Sequence, residues 1–277
     1  MYKIYLLLII SFLFPINSNR VITIGGCVTE TVFALGMGDN VVAVDISSSI
    51  PVEVTNLPQV GYIRGISSEG ILSMNPTTIL TTNEIGPPKV VEQLRNAGVD
   101  LKIFNSPKSY NDIINLVLDI ALFLDVEEKG ILLKNEIIEL NTKIDSIKLN
   151  NSDEIKIAFF MSPSISSYTA SGSGTRADYL IEYIGGHNIF SDDFNRYKKV
   201  SKEDIIKYNP DIILAGYVRA SNQKEVLELF TRSEEFKSIS AVSSGQVYDV
   251  SVGEVLNFGP NFINSTIKLM NRINVDK

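Results

Sequence analysis

The chain contains few of the side chains on which catalytic and metal sites depend. Its 277 residues include a single histidine, His187. A hydrolase triad needs a histidine base or a substitute for it, and a zinc or manganese site needs several histidine and carboxylate ligands together. The motif around this histidine, IGGHNIF, is typical of a turn between a helix and a strand. The composition therefore argues against an enzyme and against a receptor for zinc or manganese.

The cysteine count excludes an internal disulfide, and the excess of acidic residues argues against a basic surface. The only cysteine, Cys27, cannot form an internal disulfide, so stability has to come from the hydrophobic core. It follows TIGG, which is typical of the end of a strand, and we expect a small buried side chain there. The 25 Lys and Arg residues are outnumbered by 32 Asp and Glu, which gives a formal charge of −7. An acidic chain lacks the basic face that nucleic acid requires, and an anionic ligand must find local cations.

Long apolar runs are also missing, because none reaches the roughly 20 residues of a membrane-spanning helix. The longest run, from Ile4 to Ile16, follows a lysine and precedes small polar residues. This pattern is typical of a secretory signal peptide, which we assign to residues 1–19, with cleavage near Ser18 or Asn19. The mature protein is expected to be exported and soluble. Cys27 lies too far beyond the apolar run to carry a lipid anchor.

Strand and helix patterns alternate along the rest of the chain. Residues 126–148, VEEKGILLKNEIIELNTKIDSIK, have apolar residues at helical spacing and predict one long amphipathic helix. Buried strands alternate with helices on both sides of it, among them VVAVD, TTILTT and DLKIF before it and IKIAFFM, PDIILAG and QVYDVS after it. We therefore predict two α/β lobes, residues 20–125 and 149–277, joined by this helix. Ligands of such proteins bind in the cleft between lobes, at the carboxyl ends of parallel strands.

A partial repeat supports the two lobes. SSEGILSMNPTTIL, from Ser67, and SKEDIIKYNPDIIL, from Ser201, align without gaps and are identical at 7 of 14 positions. Each segment predicts a helix, an Asn-Pro turn and a strand. A duplicated unit of this kind indicates two similar lobes. By contrast SGSGTRAD, residues 171–178, lacks the Lys-Ser/Thr ending of a phosphate-binding loop. It predicts a glycine-rich turn with Thr175 capping a helix.

Tyr62 and Arg64, in PQVGYIRG, form the most informative pair. In an extended segment, residues two apart point to the same side. A phenol binds ferric iron best as phenolate, and a nearby guanidinium lowers its pKa from about 10. Tyrosine is also a known axial ligand of haem iron. The alternative is a packed tyrosine beside a solvated arginine.

Several motifs in order closely resemble the periplasmic haem-binding proteins of bacterial ABC haem importers. The resemblance extends from Arg20 to about Pro260 and is carried by VITIGGCVTETVFALGMGDNVVAVDISS, LPQVGYIRGISSEGILSMNPTTIL, NEIGPPKVVEQLRNAGV, ASGSGTRADYLIEYIGG and NFGP. GYIR after PQV and the EIGPP motif at 84–88 resemble the haem branch in particular. The resemblance implies two Rossmann-like lobes joined by a single long helix, haem b (Fe-protoporphyrin IX) as the transported ligand, and an ABC permease with its ATPase as partner.

The resemblance also implies roles for particular residues. Tyr62 would be the axial iron ligand, supported by Arg64, with Arg176 also in the haem site. SPSISS stands where some members have a second-lobe histidine, so Tyr168 or Tyr217 is left open as a further ligand. Glu84 on the first lobe and Glu228 or Glu225 on the second would meet arginines of the permease.

The overall prediction is a monomeric periplasmic receptor that is not an enzyme. Two alternatives stay open. The first is a receptor for a ferric siderophore or cobalamin, in which Tyr62 would only line the pocket. The second is an exported enzyme with two α/β lobes.

Overall fold

The computed structural model describes residues 19–149 and 155–275. The predicted signal peptide, apart from Asn19, therefore lies outside the described residues. Within those two ranges, no helix has the length and apolar character needed to cross a membrane.

The first lobe is a parallel four-stranded sheet in the order β2-β1-β3-β4, with helices between the strands. All the strands expected from the sequence are present. The elements are β1 (Val21–Ile24), α1 (Gly26–Ala34), β2 (Val41–Val44), α2 (Ser68–Leu72), β3 (Thr78–Thr82), α3 (Pro88–Asn96), β4 (Asp100–Phe104) and α4 (Tyr110–Phe123). Cys27 is buried as expected, but it lies in the first turn of α1 because β1 ends at Ile24.

The second lobe has a mixed sheet in the order β10-β9-β5-β6-β8, and β7 pairs with β5. Strands β6 and β8 form an antiparallel edge, which the sequence reading did not distinguish. The elements are β5 (Lys156–Met161), β6 (Tyr168–Ser171), α6 (Arg176–Tyr183), β7 (His187–Asn188), β8 (Tyr197–Val200), α7 (Lys202–Tyr208), β9 (Ile212–Tyr217), α8 (Gln223–Thr231), α9 (Ser240–Ser243), β10 (Val247–Ser251), α10 (Val252–Leu256) and α11 (Phe262–Val275).

A single helix, which takes the label α5 (Glu127–Ile147), joins the lobes, as the apolar spacing predicts. Its Ile137 and Ile144 are buried in one hydrophobic core with residues of α4 and α11. Ile131 and Leu132 belong to the apolar spacing that predicts this helix, but both are more than half exposed. Gly130 takes the contact there instead, since a Cβ on it would lie 2.4 Å from the Cβ of Ala121. The connector is therefore held on two sides by α4 and α11.

The structure confirms the repeat. Asn75 and Asn209, at equivalent positions, have positive φ angles of 49° and 46°. Asn209 is the left-handed residue that ends α7, and Asn75 lies three residues after the end of α2; asparagine tolerates this conformation better than most side chains. The hydroxyls of Ser67 and Ser201 cap the starts of α2 and α7, and that of Thr175 caps α6 as predicted. Local capping chemistry therefore places equivalent elements in both lobes.

Candidate functional site

The carboxyl edges of the two sheets face each other. On the first lobe, Ser47, Glu84 and Ser106 lie just after β2, β3 and β4. Asn257 of the second lobe donates from its Nδ2 to the carbonyl oxygen of Ser47 over 3.4 Å, and Arg176 contacts the other two residues. These contacts form one side of a cleft between the lobes.

Tyr62 lies on the first lobe, in a segment that is hydrogen-bonded to the residues after β2. The backbone N–H of Ile46 donates to the carbonyl oxygen of Gly61 over 3.0 Å, and that of Gly65 donates to the carbonyl of Tyr62 over 2.7 Å. Gly61 has a φ of 103°, which a side chain would disfavour. Ile63, next to the tyrosine, is buried in the core, whereas Tyr62 is 45% exposed. The packing thus presents the phenol to solvent on a fixed backbone.

Arg64 interacts with Glu84 in this structure. Its Nη2 lies 2.9 Å from Oε1 of Glu84, and the described residues show no hydrogen bond between Arg64 and the Tyr62 hydroxyl. A backbone hydrogen bond joins the loop that contains Arg64 to the loop that contains Glu84, since the N–H of Gly86 donates to the carbonyl of Ile63 over 2.9 Å. The predicted support of a Tyr62 phenolate by Arg64 stays a prediction.

Arg176 connects the lobes from the start of α6. Its Nη2 donates to Oγ of Ser106 over 2.7 Å and lies 3.7 Å from Oε2 of Glu84. Its Nη1 donates to the carbonyl oxygen of Leu256 over 3.2 Å, and the guanidinium carbon lies 5.5 Å from the ring centre of Phe258. Two guanidinium groups, one from each lobe, therefore share the carboxylate of Glu84.

Tyr197 is a neighbour of Arg176 that the sequence reading missed. Burial raises the pKa of its phenol to about 12, against hydrogen bonds with Thr175 and Ala177 and the positive charge of Arg176, which lower it. Its hydroxyl therefore lies at the start of α6. Its position in β8 gives no local signal, because antiparallel pairing to β6 brings it there.

Tyr168 lies away from the cleft, in the core of the second lobe. Its ring packs against those of Phe160, Phe230 and Phe236. Only 6% of the residue is exposed, and burial raises the pKa of its phenol. A large ligand could reach it only by disrupting this aromatic core, so the structure does not bring Tyr168 together with Tyr62.

Tyr217 is half-buried at the carboxyl end of β9. Burial is the main cause that raises its phenol pKa, and the charges of Glu254 and Asp249 add to it. Beside it, Val218 is exposed, and so is Ile165 in the SPSISS loop after β5. The second lobe therefore presents apolar side chains and one phenol at this edge. In the sequence, apolar residues that directly follow a strand resemble core positions. The exposure of Val218 and Ile165 could therefore not be predicted from it.

The predicted permease contacts have definite partners. Glu84 binds the two cleft arginines, as described above. Glu228 lies in α8, within 2.8 Å of Arg232, whereas Glu225 lies in the first turn of that helix and accepts a hydrogen bond from Asn222 over 3.1 Å. Docking roles for these glutamates stay predictions.

His187 lies in β7, which pairs with β5. The backbone N–H of His187 donates to the carbonyl of Ile155, in the pairing of β7 with β5. In residues 19–149 and 155–275, no group of three or more His, Cys, Asp or Glu side chains is arranged to hold a metal ion.

The chain belongs to the periplasmic binding protein family, whose model matches residues 21–251. The vitamin B12-binding protein of Pectobacterium atrosepticum is 27% identical over 202 residues, which cover 72% of this chain and 71% of that protein. The solved structure of the periplasmic haem-binding protein RhuT from Roseiflexus sp. RS-1 has a TM-score of 0.84 and 26% identity, over 94% of this chain and 100% of that one. HutB, the periplasmic haem-binding protein of Vibrio cholerae, gives a TM-score of 0.77 and 26% identity, over 92% and 99% of the two chains.

These relatives define the class more closely. The chain is a substrate-binding protein of the group that serves ABC importers of siderophores, haem and vitamin B12, and it is a binding protein rather than an enzyme. The two-lobed fold with one connecting helix is confirmed.

Proposed function

We propose that this protein captures haem in the periplasm, in the cleft between its lobes, with Tyr62 as the protein ligand of the ferric iron, and delivers it to an ABC import permease. The observation that carries the proposal is the exposed phenol of Tyr62. Packing of Ile63 and the backbone hydrogen bonds of Gly61 and Gly65 hold the backbone around this phenol. A phenol held outward on a fixed backbone suits a metal ligand, whereas a packing residue would be buried.

The surroundings of Tyr62 fit a flat, apolar ring system with acidic substituents. Ile46 on the first lobe and Ile165 and Val218 on the second are exposed apolar residues just after strands that end at the carboxyl edges of the two sheets. Such residues can pack against the faces of a porphyrin and gain free energy from the apolar area they bury. Arg64 and Arg176 supply positive charge in an otherwise acidic protein.

Iron ligation from the second lobe is limited to Tyr217 among the tyrosines predicted there, since Tyr168 is in the core. We infer that Tyr62 is the principal protein ligand and that the second lobe contacts the cargo mainly through apolar side chains. Relatives named as haem-binding proteins support haem as the cargo.

Cobalamin is the second candidate, because curated relatives at 27% identity are named vitamin B12-binding proteins. The two cargoes differ at their edges. The corrin ring carries neutral amides, so its capture does not need free guanidinium groups, whereas the porphyrin of haem carries two carboxylates.

Absorption titrations of the purified mature protein with haemin and with cyanocobalamin test the proposal. We expect a shifted Soret band that saturates with haemin and no change with cyanocobalamin. Pre-incubation with excess cyanocobalamin should leave haemin binding unchanged. Saturable binding of cyanocobalamin, together with no change in the haemin spectrum on adding the protein, would show that cobalamin is the cargo instead.

A further inference from the structure

Glu84 occupies an unusual position for a residue expected on an outer docking surface. Its carboxylate lies between a guanidinium of the first lobe, 2.9 Å away, and one of the second lobe, 3.7 Å away. Among the described residues, its side chain has no other ion-pair or hydrogen-bond partner. One carboxylate thus faces two cations, and the group of three keeps a net positive charge.

The two arginines differ in how firmly they are held. Arg176 keeps its hydrogen bonds to Ser106 and to the carbonyl of Leu256 whether or not Glu84 is near, so its guanidinium is fixed at the cleft. Arg64 has a side chain that is 59% exposed, and within the described part of the chain its one ion-pair partner is Glu84. A well-exposed ion pair contributes little to stability, so it can be exchanged for another at small cost.

We propose that Glu84 competes with a carboxylate of the cargo for the guanidinium groups of Arg64 and Arg176. Binding of the cargo then replaces an ion pair within the protein by one between protein and ligand. The inference rests on the proposed function, and it identifies the ligand class as a metal tetrapyrrole that carries free carboxylates. Glu84 weakens the affinity for such a ligand, and its removal should strengthen it.

The test compares haemin with its dimethyl ester, which keeps the ring and the iron but has no free carboxylate. Both are delivered from dimethyl sulfoxide and titrated by absorbance into the wild type and Glu84→Gln. An exposed ion pair is worth about 0.2–1 kcal/mol, so the variant should bind haemin about 1.4- to fivefold more tightly, with no gain for the ester. Glu92→Gln, which removes the same charge from an exposed position in α3, is the matched control and should change neither affinity.

Each other outcome has a definite meaning. Unchanged or weaker haemin binding by Glu84→Gln, or equal tightening for both ligands, would overturn the competition while leaving the proposed function standing. Failure of the wild type to bind either ligand would reject both. Thermal melting of each variant checks the fold. If Glu84→Gln does not fold, added salt should weaken haemin binding by the wild type more than ester binding, and equal salt effects would also overturn the inference.

Discussion

Glu30 is a buried acid at the junction of the two lobes. It lies in α1 with 5% of its surface exposed, and its carboxylate accepts a hydrogen bond from the backbone N–H of Asn261 on the second lobe. Burial raises the pKa of this carboxyl from 4.5 to about 7, the hydrogen bond from Asn261 lowers it, and the charge of Glu254 raises it further. Glu30 lines a cavity, and Glu53 and Glu136 line it as well.

The direction of the pH effect follows from the raised pKa. The folded protein holds the proton of Glu30 more tightly than the unfolded chain does. Its stabilising contribution is therefore fully present below about pH 4.5 and is lost as the pH rises through about 7. Each unit of pKa difference corresponds to about 1.4 kcal/mol, so the ionised carboxylate lowers the free energy of unfolding at pH 8 by about 3 kcal/mol at most.

Glu30→Gln keeps an oxygen that can accept from Asn261 and removes the buried charge. We expect it to raise the free energy of unfolding at pH 8 by about 1–3 kcal/mol relative to the wild type, and to give no gain at pH 4.5. Chemical denaturation followed by circular dichroism at both pH values measures this difference. Glu53→Gln, at an exposed position on the same cavity, is the control. An equal stability difference at the two pH values would refute the reasoning.

Two further predictions concern the second lobe. Asn209→Ala should lower the free energy of unfolding by about 1–3 kcal/mol, because alanine disfavours a φ of 46° and loses both hydrogen bonds to Ser240, whereas Asn209→Gly should lose less. Denaturation curves of both variants check this, and equal losses would contradict the conformational part. Glu225→Lys, in the first turn of α8, should lower haem import in reconstituted vesicles and leave haem affinity unchanged, because reversed charge chiefly damages docking. A loss of affinity would instead place Glu225 at the cargo site.

Local signals made much of the fold predictable. In the sequence, the strands were recognisable as runs of β-branched residues, and α5 as apolar residues at helical spacing. The repeat predicted equivalent elements in both lobes, and the structure confirms them, with Ser67 and Ser201 capping the two helices. These features depend on residues within a few positions of each other. The start of α5 departed from this pattern, since Gly130 makes a contact there and Ile131 and Leu132 are exposed.

The site was less predictable because it depends on contacts between distant residues. Arg176 and Glu84 are 92 positions apart, and no local pattern indicates that the second lobe brings its guanidinium to the first. Tyr168 and Tyr217 both border strands, and their sequences do not distinguish a side chain that faces the core from one that faces the cleft. The order of strands in the sheet decides this, and it buries Tyr168 among phenylalanines.

Ligation of haem iron by Tyr62 is the central proposal, and the absorption spectrum of the ferric complex tests it most directly. Tyr62→Phe removes only the phenol oxygen and keeps the ring, so packing against a porphyrin is preserved. Tyr217→Phe removes the same atom from the second-lobe edge and serves as the control. We predict that Tyr62→Phe shifts the Soret band and abolishes the charge-transfer bands of a phenolate-bound ferric iron, and that Tyr217→Phe leaves both in place. A Tyr62→Phe complex with the wild-type ferric spectrum would contradict the account.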